Sequence, residues 1–508
     1  WISLGPSTSN GGYAGLGRLN CIAFHPTDLN TYWVGAASGG LWVTYDNGNT
    51  WACLTDFNAV LAVSDIVIPS DYATSQTIYI ATGDRDAFDN NSVGVLKSTN
   101  GGATWNTTGI TFSINQGKMV NRILIDPDNP QILIAATSDG VYKTIDGGTT
   151  WSNRLSTTEF MDMEYKPGDF SVLYGSRDNG RVFRSVNNGT NWTQVYSGSN
   201  AARIELAVSP ADPNIVYGVV ASSTNAGLHS VIKSTSSGSS FSEVFSGSGM
   251  NLMGWSVDGT DIGGQGWYDI AIAASPLDAN IVLVGGVNSW VSTNGGTSWT
   301  ISNHWYGADG VEAVHADKHN LTYRANGSLF ECNDGGVYIS DNNGLTWTDK
   351  TNGIRISQMY KLGVSTLNPT ETITGLQDNG SKLHKDGTTW KDVKGGDGME
   401  CAIDYTNQMY RYTTIYYGTI DRIYGQSGQG AIAGKDINGI TEEGDWVTPF
   451  IIDENDPNTM FIGYKNIWRS RNIKASSTDN VQWKKISSLS LGNLKVIEQS
   501  PVNTDIML

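Results

Sequence analysis

An eight-residue tract recurs along the chain and constrains the fold more than any other feature. It reads Ser/Thr, any residue, Asp/Asn, any residue, Gly, any residue, Ser/Thr, Trp, and the first copy covers residues 44–51. Further copies lie at residues 98–105, 144–151, 185–192, 292–299 and 340–347, and a weaker one at 234–241. An Asp or Asn side chain folds back onto nearby backbone N–H groups, and Gly supplies the positive φ of a tight turn. The tract therefore predicts a strand–turn–strand hairpin.

Two apolar segments precede each copy, and their composition is typical of β-strands. Residues 122–125 and 132–136 are an example, separated by a turn that contains Pro127 and Pro130. Each repeat therefore predicts four short antiparallel strands. The aromatic residues that end the tracts stand at positions 51, 105, 151, 192, 241, 299 and 347. A period of roughly 40–50 residues with four strands is typical of β-propeller blades, so we predict an all-β propeller.

The quality of the repeat divides the chain into two parts. Seven complete units lie within residues 1–352, whereas residues 353–508 contain only shortened or split copies. We predict two tandem seven-bladed rings, the second incomplete, with a boundary at residue 352; the alternative is one ring of about ten blades. Residues 1–5 resemble an outermost strand, which we expect to close the first ring. The sequence stops within a repeat, so we expect the natural protein to continue.

Composition limits the class of partner. The net charge is −17, from 32 basic and 49 acidic residues, which argues against nucleic acid or an anionic membrane surface as the partner. No apolar run is long enough to cross a bilayer, so we expect no membrane insertion. The chain begins at Trp1, and we expect that a signal peptide has been removed. The four Cys residues are too few for a disulfide framework, so we predict buried free thiols.

Several tracts resemble a known group of propeller proteins. Besides the repeats, they are residues 36–42, 264–269, 314–319 and 375–380. Together they resemble the Asp-box (BNR) repeats of sialidases, xyloglucan-active endoglucanases and sortilin-type domains. They are most similar to secreted multi-repeat proteins of Bacteroidota that carry a type IX secretion sorting domain. The resemblance implies a secreted or cell-surface protein, with secretion machinery as a further partner through a region beyond Leu508.

The departures from that pattern affect the predicted activity. In the endoglucanases a catalytic Asp precedes a Gly pair in the first blade, and Ala37 or Ser38 takes that position here. No arginine signature of the sialidases is present near the start, where Gly17 and Arg18 stand instead. We therefore favour a propeller that binds polysaccharide or cell-surface glycan. The alternatives are a glycoside hydrolase acting on a β-glucan such as xyloglucan, and a sortilin-like scaffold that binds a protein ligand.

One His-x-Asp-x-His segment predicts a metal site. On a β-strand, His315, Asp317 and His319 would share one face and could bind a divalent transition ion such as zinc. A buried hydrogen-bond network is the alternative. No cofactor is required for glycan binding itself.

Acidic residues in glycine-rich turns are the candidate catalytic groups. Asp334, Asp378 and Asp397 each stand in such a turn, where two carboxyl groups could serve as acid and base in glycoside hydrolysis. The alternative is that they only form turns. Residues 84–91 form a longer acidic loop, predicted to be solvated, with a calcium site as the alternative.

Aromatic residues outside the repeat tracts are the candidate sugar-binding groups. Aromatic rings stack on the C–H faces of sugars. The residues predicted for this role are Trp267, Trp290, Trp305, Tyr306, Tyr416 and Tyr417.

Overall fold

A computed structural model describes residues 3–9, 14–156, 159–385, 389–489, 492–500, 502–503 and 506–507. These residues form an all-β protein with ten four-stranded antiparallel sheets, which confirms the predicted propeller fold. The chain divides into two units. The first unit is Ser9–Ile356, and the second is Trp1–Thr8 with Ser357–Leu508.

The first unit contains seven sheets, or blades, and each is formed by four strands that are consecutive in the chain. Blade 1 has β1 (Leu19–Phe24), β2 (Tyr32–Ala36), β3 (Leu41–Thr44) and β4 (Ala52–Cys53); blade 2 has β5 (Val63–Val67), β6 (Ile78–Thr82), β7 (Gly94–Ser98) and β8 (Asn106–Thr111); blade 3 has β9 (Val120–Ile125), β10 (Leu133–Thr137), β11 (Gly140–Thr144) and β12 (Ser152–Ser156); blade 4 has β13 (Phe160–Lys166), β14 (Asp169–Arg177), β15 (Arg181–Ser185) and β16 (Thr193–Ser197). Blade 5 has β17 (Ala201–Ser209), β18 (Asp212–Ser222), β19 (Leu228–Ser234) and β20 (Ser242–Ser246); blade 6 has β21 (Ala271–Ala274), β22 (Val282–Gly285), β23 (Ser289–Ser292) and β24 (Thr300–Asn303); blade 7 has β25 (Lys318–Tyr323), β26 (Leu329–Asn333), β27 (Gly336–Ser340) and β28 (Thr348–Asp349).

The seven blades of the first unit close into a ring. Each innermost strand contacts the innermost strand of the next blade, and β1 also contacts β25 and β26 of blade 7. Tyr32 and Val34 of blade 1 pack in one apolar cluster with Phe330 and Cys332 of blade 7. Trp51 Nε1 donates to the Lys350 carbonyl (3.0 Å), which adds a hydrogen bond at the same junction.

The repeat tracts form the hairpins between the third and fourth strands. In the first copy, Asp46 Oδ1 accepts hydrogen bonds from Thr44 Oγ1 (2.9 Å) and from the Thr50 amide (2.8 Å). The Gly48 amide donates to Thr44 Oγ1 (2.8 Å), with Gly48 at φ 80°. The Asp46 carboxylate therefore stabilises the turn, because its oxygens accept hydrogen bonds within the hairpin. All four Cys residues are free; Cys21, Cys332 and Cys401 are buried, and Cys53 is half-buried.

The second unit contains three further blades. The first has β29 (Met359–Val364), β30 (Thr372–Leu376), β31 (Ser381–Lys385) and β32 (Thr389–Lys394); the second has β33 (Gly398–Ile403), β34 (Tyr410–Ile415), β35 (Thr419–Tyr424) and β36 (Ser427–Ala433); the third has β37 (Phe450–Ile452), β38 (Met460–Gly463), β39 (Ile467–Ser470) and β40 (Trp483–Lys485). Residues 3–9 contain no strand, and the Leu4 carbonyl accepts from Trp390 Nε1 (2.8 Å). The prediction that residues 1–5 close the first ring is therefore wrong for residues 3–5, because Leu4 bonds to β32 of the second unit; residues 1 and 2 lie outside the described part.

Helical structure in the described residues is limited to short segments. One α-helix, α1, spans Tyr72–Ser75, and 3-10 turns span Ile114–Gln116, Ala308–Gly310, Tyr416–Gly418 and Thr478–Asn480. Across the described ranges, no helix has the length and apolar character needed to cross a membrane.

Candidate functional site

Polar residues converge at one end of the first unit. Strands within each blade alternate in direction, so the turns between second and third strands lie at the same end as the connections that enter each innermost strand. We call this end the connection end. The repeat-tract hairpins lie at the opposite end. The connection end carries Arg18 before β1, Asp84 and Asp86 after β6, Tyr268 and Asp269 before β21, Asp317 before β25, and Asp334 after β26.

His319, in β25, links two buried carboxylates. Its Nδ1 lies 3.0 Å from Asp86 Oδ2, and its Nε2 lies 2.7 Å from Asp334 Oδ1. Because both ring nitrogens donate to carboxylates, the ring is an imidazolium. Burial lowers the pKa of His319, but Asp334 and Asp86 outweigh this effect and raise it to about 9. His319 is therefore charged at neutral pH.

Asp86 is surrounded by cations. It accepts from Arg203 Nη2 (2.7 Å) as well as from His319, and Arg85 Nε lies 3.6 Å away. Burial opposes the ionisation of Asp86, yet Arg203, His319 and Arg85 hold its pKa well below the usual range. The loop at 84–91 was predicted to be solvated, and this is wrong for Asp84, Arg85 and Asp86, which are buried. The closed ring brings their counter-ions to them from distant blades.

Tyr268 connects Asp334 to Arg18. The Tyr268 hydroxyl donates to Asp334 Oδ2 (2.7 Å) and accepts from Arg18 Nη1 (3.1 Å). Arg18 also forms an ion pair with Asp84. Burial raises the pKa of Asp84 to about 6, since the attraction of Arg18 is partly cancelled by the nearby Asp86. We call these seven residues the central network: Arg18, Asp84, Asp86, Arg203, Tyr268, His319 and Asp334.

Two further carboxyl groups lie beside the central network. Asp269 is 0% exposed, and neither of its oxygens has a hydrogen-bonding partner among the described residues. Asp317 accepts a hydrogen bond from Gln265 Nε2 (3.1 Å). Burial, together with the neighbouring Asp317 carboxylate, raises the pKa of Asp269 well above its usual range. Burial and Asp334 raise the pKa of Asp317 to about 7.

The segment around Asp317 is not a regular strand. Strand β25 begins at Lys318, and Asp317 has a φ of 64°, in the left-handed region. The expectation that His315, Asp317 and His319 share one strand face is therefore wrong, because the chain turns at Asp317. A metal bound by these three residues stays a prediction. The hydrogen bonds of His319 oppose it, because an imidazolium has no lone pair to offer a metal.

The three predicted catalytic acids are divided between the two units. Asp334 lies in the first unit and is buried, with hydrogen bonds to His319 and Tyr268. Asp378 and Asp397 lie in neighbouring turns of the second unit, where the Asp378 amide donates to Asp397 Oδ1 (2.9 Å). Both are half-buried. Their catalytic roles stay predictions, and the burial of Asp334 opposes direct contact with a sugar.

The predicted aromatic residues differ in exposure. Trp290 is 1% exposed and packs in the apolar cluster of blades 5 and 6, so its predicted contact with a ligand is wrong. Trp267 and Tyr306 are exposed in connections of the first unit, and Trp305 is half-buried. In the second unit, Tyr416 and Tyr417 are exposed.

Sequence reasoning missed residues of interest in both units. Trp446 stacks on Tyr416, with ring centroids 5.5 Å apart and planes at 11°. Arg203 and Asp269 were also missed, although residues 264–269 had been singled out. For Arg203 the sequence did contain a signal. A charged residue near the start of an innermost strand is unusual and indicates a buried partner of opposite charge.

The centre of the first unit also contains a cavity of about 420 Å³. Arg85, Glu205 and His319 line it on the side of the central network. Pro167 and Pro210, which belong to turns between first and second strands, line it towards the opposite end. The central network therefore borders this cavity on one side.

Comparison with known proteins supports the fold and a distant sequence relationship. No family model matches the chain. A xyloglucanase of a Paenibacillus species is 24% identical over an alignment of 346 residues, which covers 56% of this chain and 31% of that protein. The chain therefore spans about a third of the length of the curated relative that it matches.

Solved structures show the same architecture. A GH74 xyloglucanase from Xanthomonas campestris gives a TM-score of 0.66 at 14% identity, covering 95% of this chain and 76% of that one. An ancestral GH74 enzyme gives a TM-score of 0.68 at 15% identity, and the alignment covers 100% of this chain and 75% of that one. PorZ is a surface component of the type IX secretion system of Porphyromonas gingivalis. It gives a TM-score of 0.52 at 13% identity, and the alignment covers 96% of this chain and 61% of PorZ. At these identities the similarity shows the β-propeller fold alone.

Proposed function

We propose that the protein is an extracellular β-propeller that binds a polysaccharide at the connection end of its first unit. The observation that carries this proposal is a group of exposed aromatic side chains: Trp255, Trp267 and Tyr306 are 42%, 56% and 52% exposed. An exposed indole or phenol ring offers an apolar face to the C–H groups of a sugar ring. The match to a xyloglucanase supports a β-glucan as ligand.

His304 joins two of the connections that carry these rings. Its Nε2 donates to the Trp255 carbonyl (3.0 Å), and its ring lies 4.4 Å from that of Tyr306, centroid to centroid. Burial lowers the pKa of His304, so the neutral ring with a proton on Nε2 is favoured. Trp255 and Tyr306 are therefore positioned before a ligand arrives, which lowers the entropic cost of binding.

Replacing the exposed rings should weaken polysaccharide binding. We expect Trp267→Ala and Tyr306→Ala each to reduce affinity for xyloglucan by about 2- to 10-fold, since a stacked ring contributes about 0.5–1.5 kcal/mol. Affinity electrophoresis in xyloglucan gels and calorimetry measure the change. Tyr45→Ala is the matched control, because Tyr45 is 60% exposed but lies in a repeat-tract hairpin at the opposite end.

Two outcomes would contradict this proposal. One is equal loss of affinity in Tyr45→Ala and the two test variants. The other is absence of binding to every polysaccharide in a panel of β-glucans and microbial glycans, which would favour a protein ligand instead.

The same proposal includes export of the protein out of the cell, with type IX secretion as the route. Fractionation of the source cells tests it.

Hydrolysis of a β-glucan is a second candidate function. It is favoured by Asp378 and Asp397, which lie in adjacent turns of the second unit and keep part of their surface exposed. A pair of carboxyl groups can act as acid and base on a glycosidic bond.

If hydrolysis occurs, Asp378→Asn and Asp397→Asn should each lower the release of reducing sugar from xyloglucan by about 10²- to 10⁴-fold. The matched control is Asp436→Asn, since exposed Asp436, like Asp378, has a positive φ that Asn tolerates. Unchanged release in both test variants would remove these residues from any catalytic role.

A further inference from the structure

Exposed aromatic residues meet at one end of the second unit. Tyr416 and Tyr417 lie in the turn between β34 and β35, and Trp446 lies in the connection that enters β37. Because neighbouring strands of a blade alternate in direction, such turns and connections share one end of the unit. Tyr416, Tyr417 and Trp446 are 39%, 45% and 40% exposed. We call these three residues the aromatic cluster.

The rings of the aromatic cluster contact one another. Tyr416 and Trp446 lie nearly parallel, with ring centroids 5.5 Å apart and planes at 11°. Rings stacked directly face to face would lie about 3.5–4 Å apart, so this pair is offset and each ring keeps part of its face uncovered. Tyr417 stands at a steep angle to both, 5.8 Å from Tyr416 and 5.5 Å from Trp446. The cluster therefore presents a continuous apolar surface.

The backbone at Tyr417 is strained. Its φ is 63°, a left-handed conformation that is unfavourable for a bulky side chain. The Tyr417 amide donates to the Trp446 carbonyl (3.3 Å), and its carbonyl accepts from the Gly444 amide (3.1 Å). These hydrogen bonds tie the turn to the connection that carries Trp446. Strained residues of this kind concentrate at binding sites, where the surrounding structure fixes a side chain before the ligand arrives.

Polar groups border the aromatic cluster. A Cβ atom placed on Gly396 would lie 3.9 Å from Tyr416 Cε1, so the Tyr416 ring lies against the turn that continues into Asp397. Trp446 Nε1 donates to the Tyr360 hydroxyl (3.1 Å). Ring faces beside carboxylate and hydroxyl groups match a sugar, which has an apolar C–H face and hydroxyl groups along its edge.

We propose that the aromatic cluster is a second polysaccharide-binding site, carried by the second unit, and that its ligand is a neutral glucan. The net charge of −17 and the Asp397 carboxylate next to Gly396 disfavour polysaccharides that carry uronic acid or sulfate groups. The inference rests on the proposed function only for the class of ligand. A bound sugar would lie beside Asp397, one of the two candidate acids in this unit.

Affinity electrophoresis of the full chain in xyloglucan gels tests the proposal. Trp446→Ala and Tyr417→Asn should each reduce the affinity by about 2- to 10-fold. The matched control is Tyr424→Ala, which should bind as the wild type does. Tyr424 is 42% exposed and packs against Tyr410, with 4.9 Å between ring centroids, but it ends β35 at the opposite end of the same blade.

The Tyr417→Asn variant separates binding from folding. Asn adopts the left-handed conformation more readily than Tyr, so relief of backbone strain offsets the loss of ring contacts. We therefore expect this variant to unfold at a urea concentration close to that of the wild type while it binds xyloglucan more weakly. If it loses stability but keeps its affinity, the rings only pack the turn and the proposal is wrong.

Comparison with the first-unit variants separates this proposal from the proposed function. Affinity that falls in Trp267→Ala but is unchanged in Trp446→Ala and Tyr417→Asn would overturn the second-unit site alone. Affinity that falls in Trp446→Ala and Tyr417→Asn, but not in the first-unit variants, would support it and remove the first-unit site. A wild type that binds no neutral polysaccharide would overturn both. Equally strong retention in polygalacturonate gels, lost in Trp446→Ala, would show that the ligand is not restricted to neutral glucans.

Discussion

The Asp86→Ala variant should lose about 3–5 kcal/mol of unfolding free energy, the effect of breaking a buried ion pair by removing one partner. Asp86 is fully buried, accepts from Arg203 (2.7 Å) and His319 (3.0 Å), and lies 3.6 Å from Arg85. Without its carboxylate, these cations remain in a region of low dielectric constant, where repulsion and lost hydration both destabilise the folded state. Urea unfolding of the full chain, followed by tryptophan fluorescence, measures the loss.

Asp89→Ala is the control within the same loop. The Asp89 carboxylate is exposed, accepts a hydrogen bond from Asn90 Nδ2 (2.8 Å) and lies 4.0 Å from Arg18. A surface ion pair contributes about 0–1 kcal/mol, so this variant should unfold almost as the wild type does. If Asp86→Ala and Asp89→Ala show equal small losses, the central network does not stabilise the first unit.

The central network also shows why the pairing of its charged residues could not be predicted from the sequence. His319 and Asp86 are separated by 233 residues, and Arg203 and Asp86 by 117. Only closure of the ring brings them together. In the linear sequence, residues 84–86 resemble a solvated acidic loop. Nothing local indicates that cations from blades 1, 5 and 7 will neutralise Asp84 and Asp86.

The blades were predictable because their determinants are local. The Asp, Gly and hydroxyl residues of each repeat tract satisfy one another within eight positions, as Thr44, Asp46 and Thr50 do. Side-chain exposure was less predictable. Trp290 and Tyr306 are both aromatic residues outside the repeat tracts. Trp290, however, lies in β23 and packs between blades, whereas Tyr306 lies in an exposed connection.

His319 should make the stability of the protein depend on pH on the alkaline side. Its folded pKa of about 9 lies above the usual 6.5, so the folded state binds the proton more tightly than the unfolded state. This stabilisation is fully present below pH 6.5 and is lost as the pH rises through 9. The contribution is on the order of 3 kcal/mol.

The His319→Gln variant isolates this effect, because an amide cannot be protonated in this range. We expect it to be less stable than wild type at pH 6.5, with the difference shrinking towards pH 9, as measured by urea unfolding at several pH values. His229→Gln is the control, since the His229 ring, within the described part of the chain, hydrogen-bonds only to the Ser199 carbonyl and the Ser230 hydroxyl. The His229→Gln variant should lose stability with rising alkaline pH as the wild type does. A decline of the same size in His319→Gln would show that the proton is not held between Asp86 and Asp334.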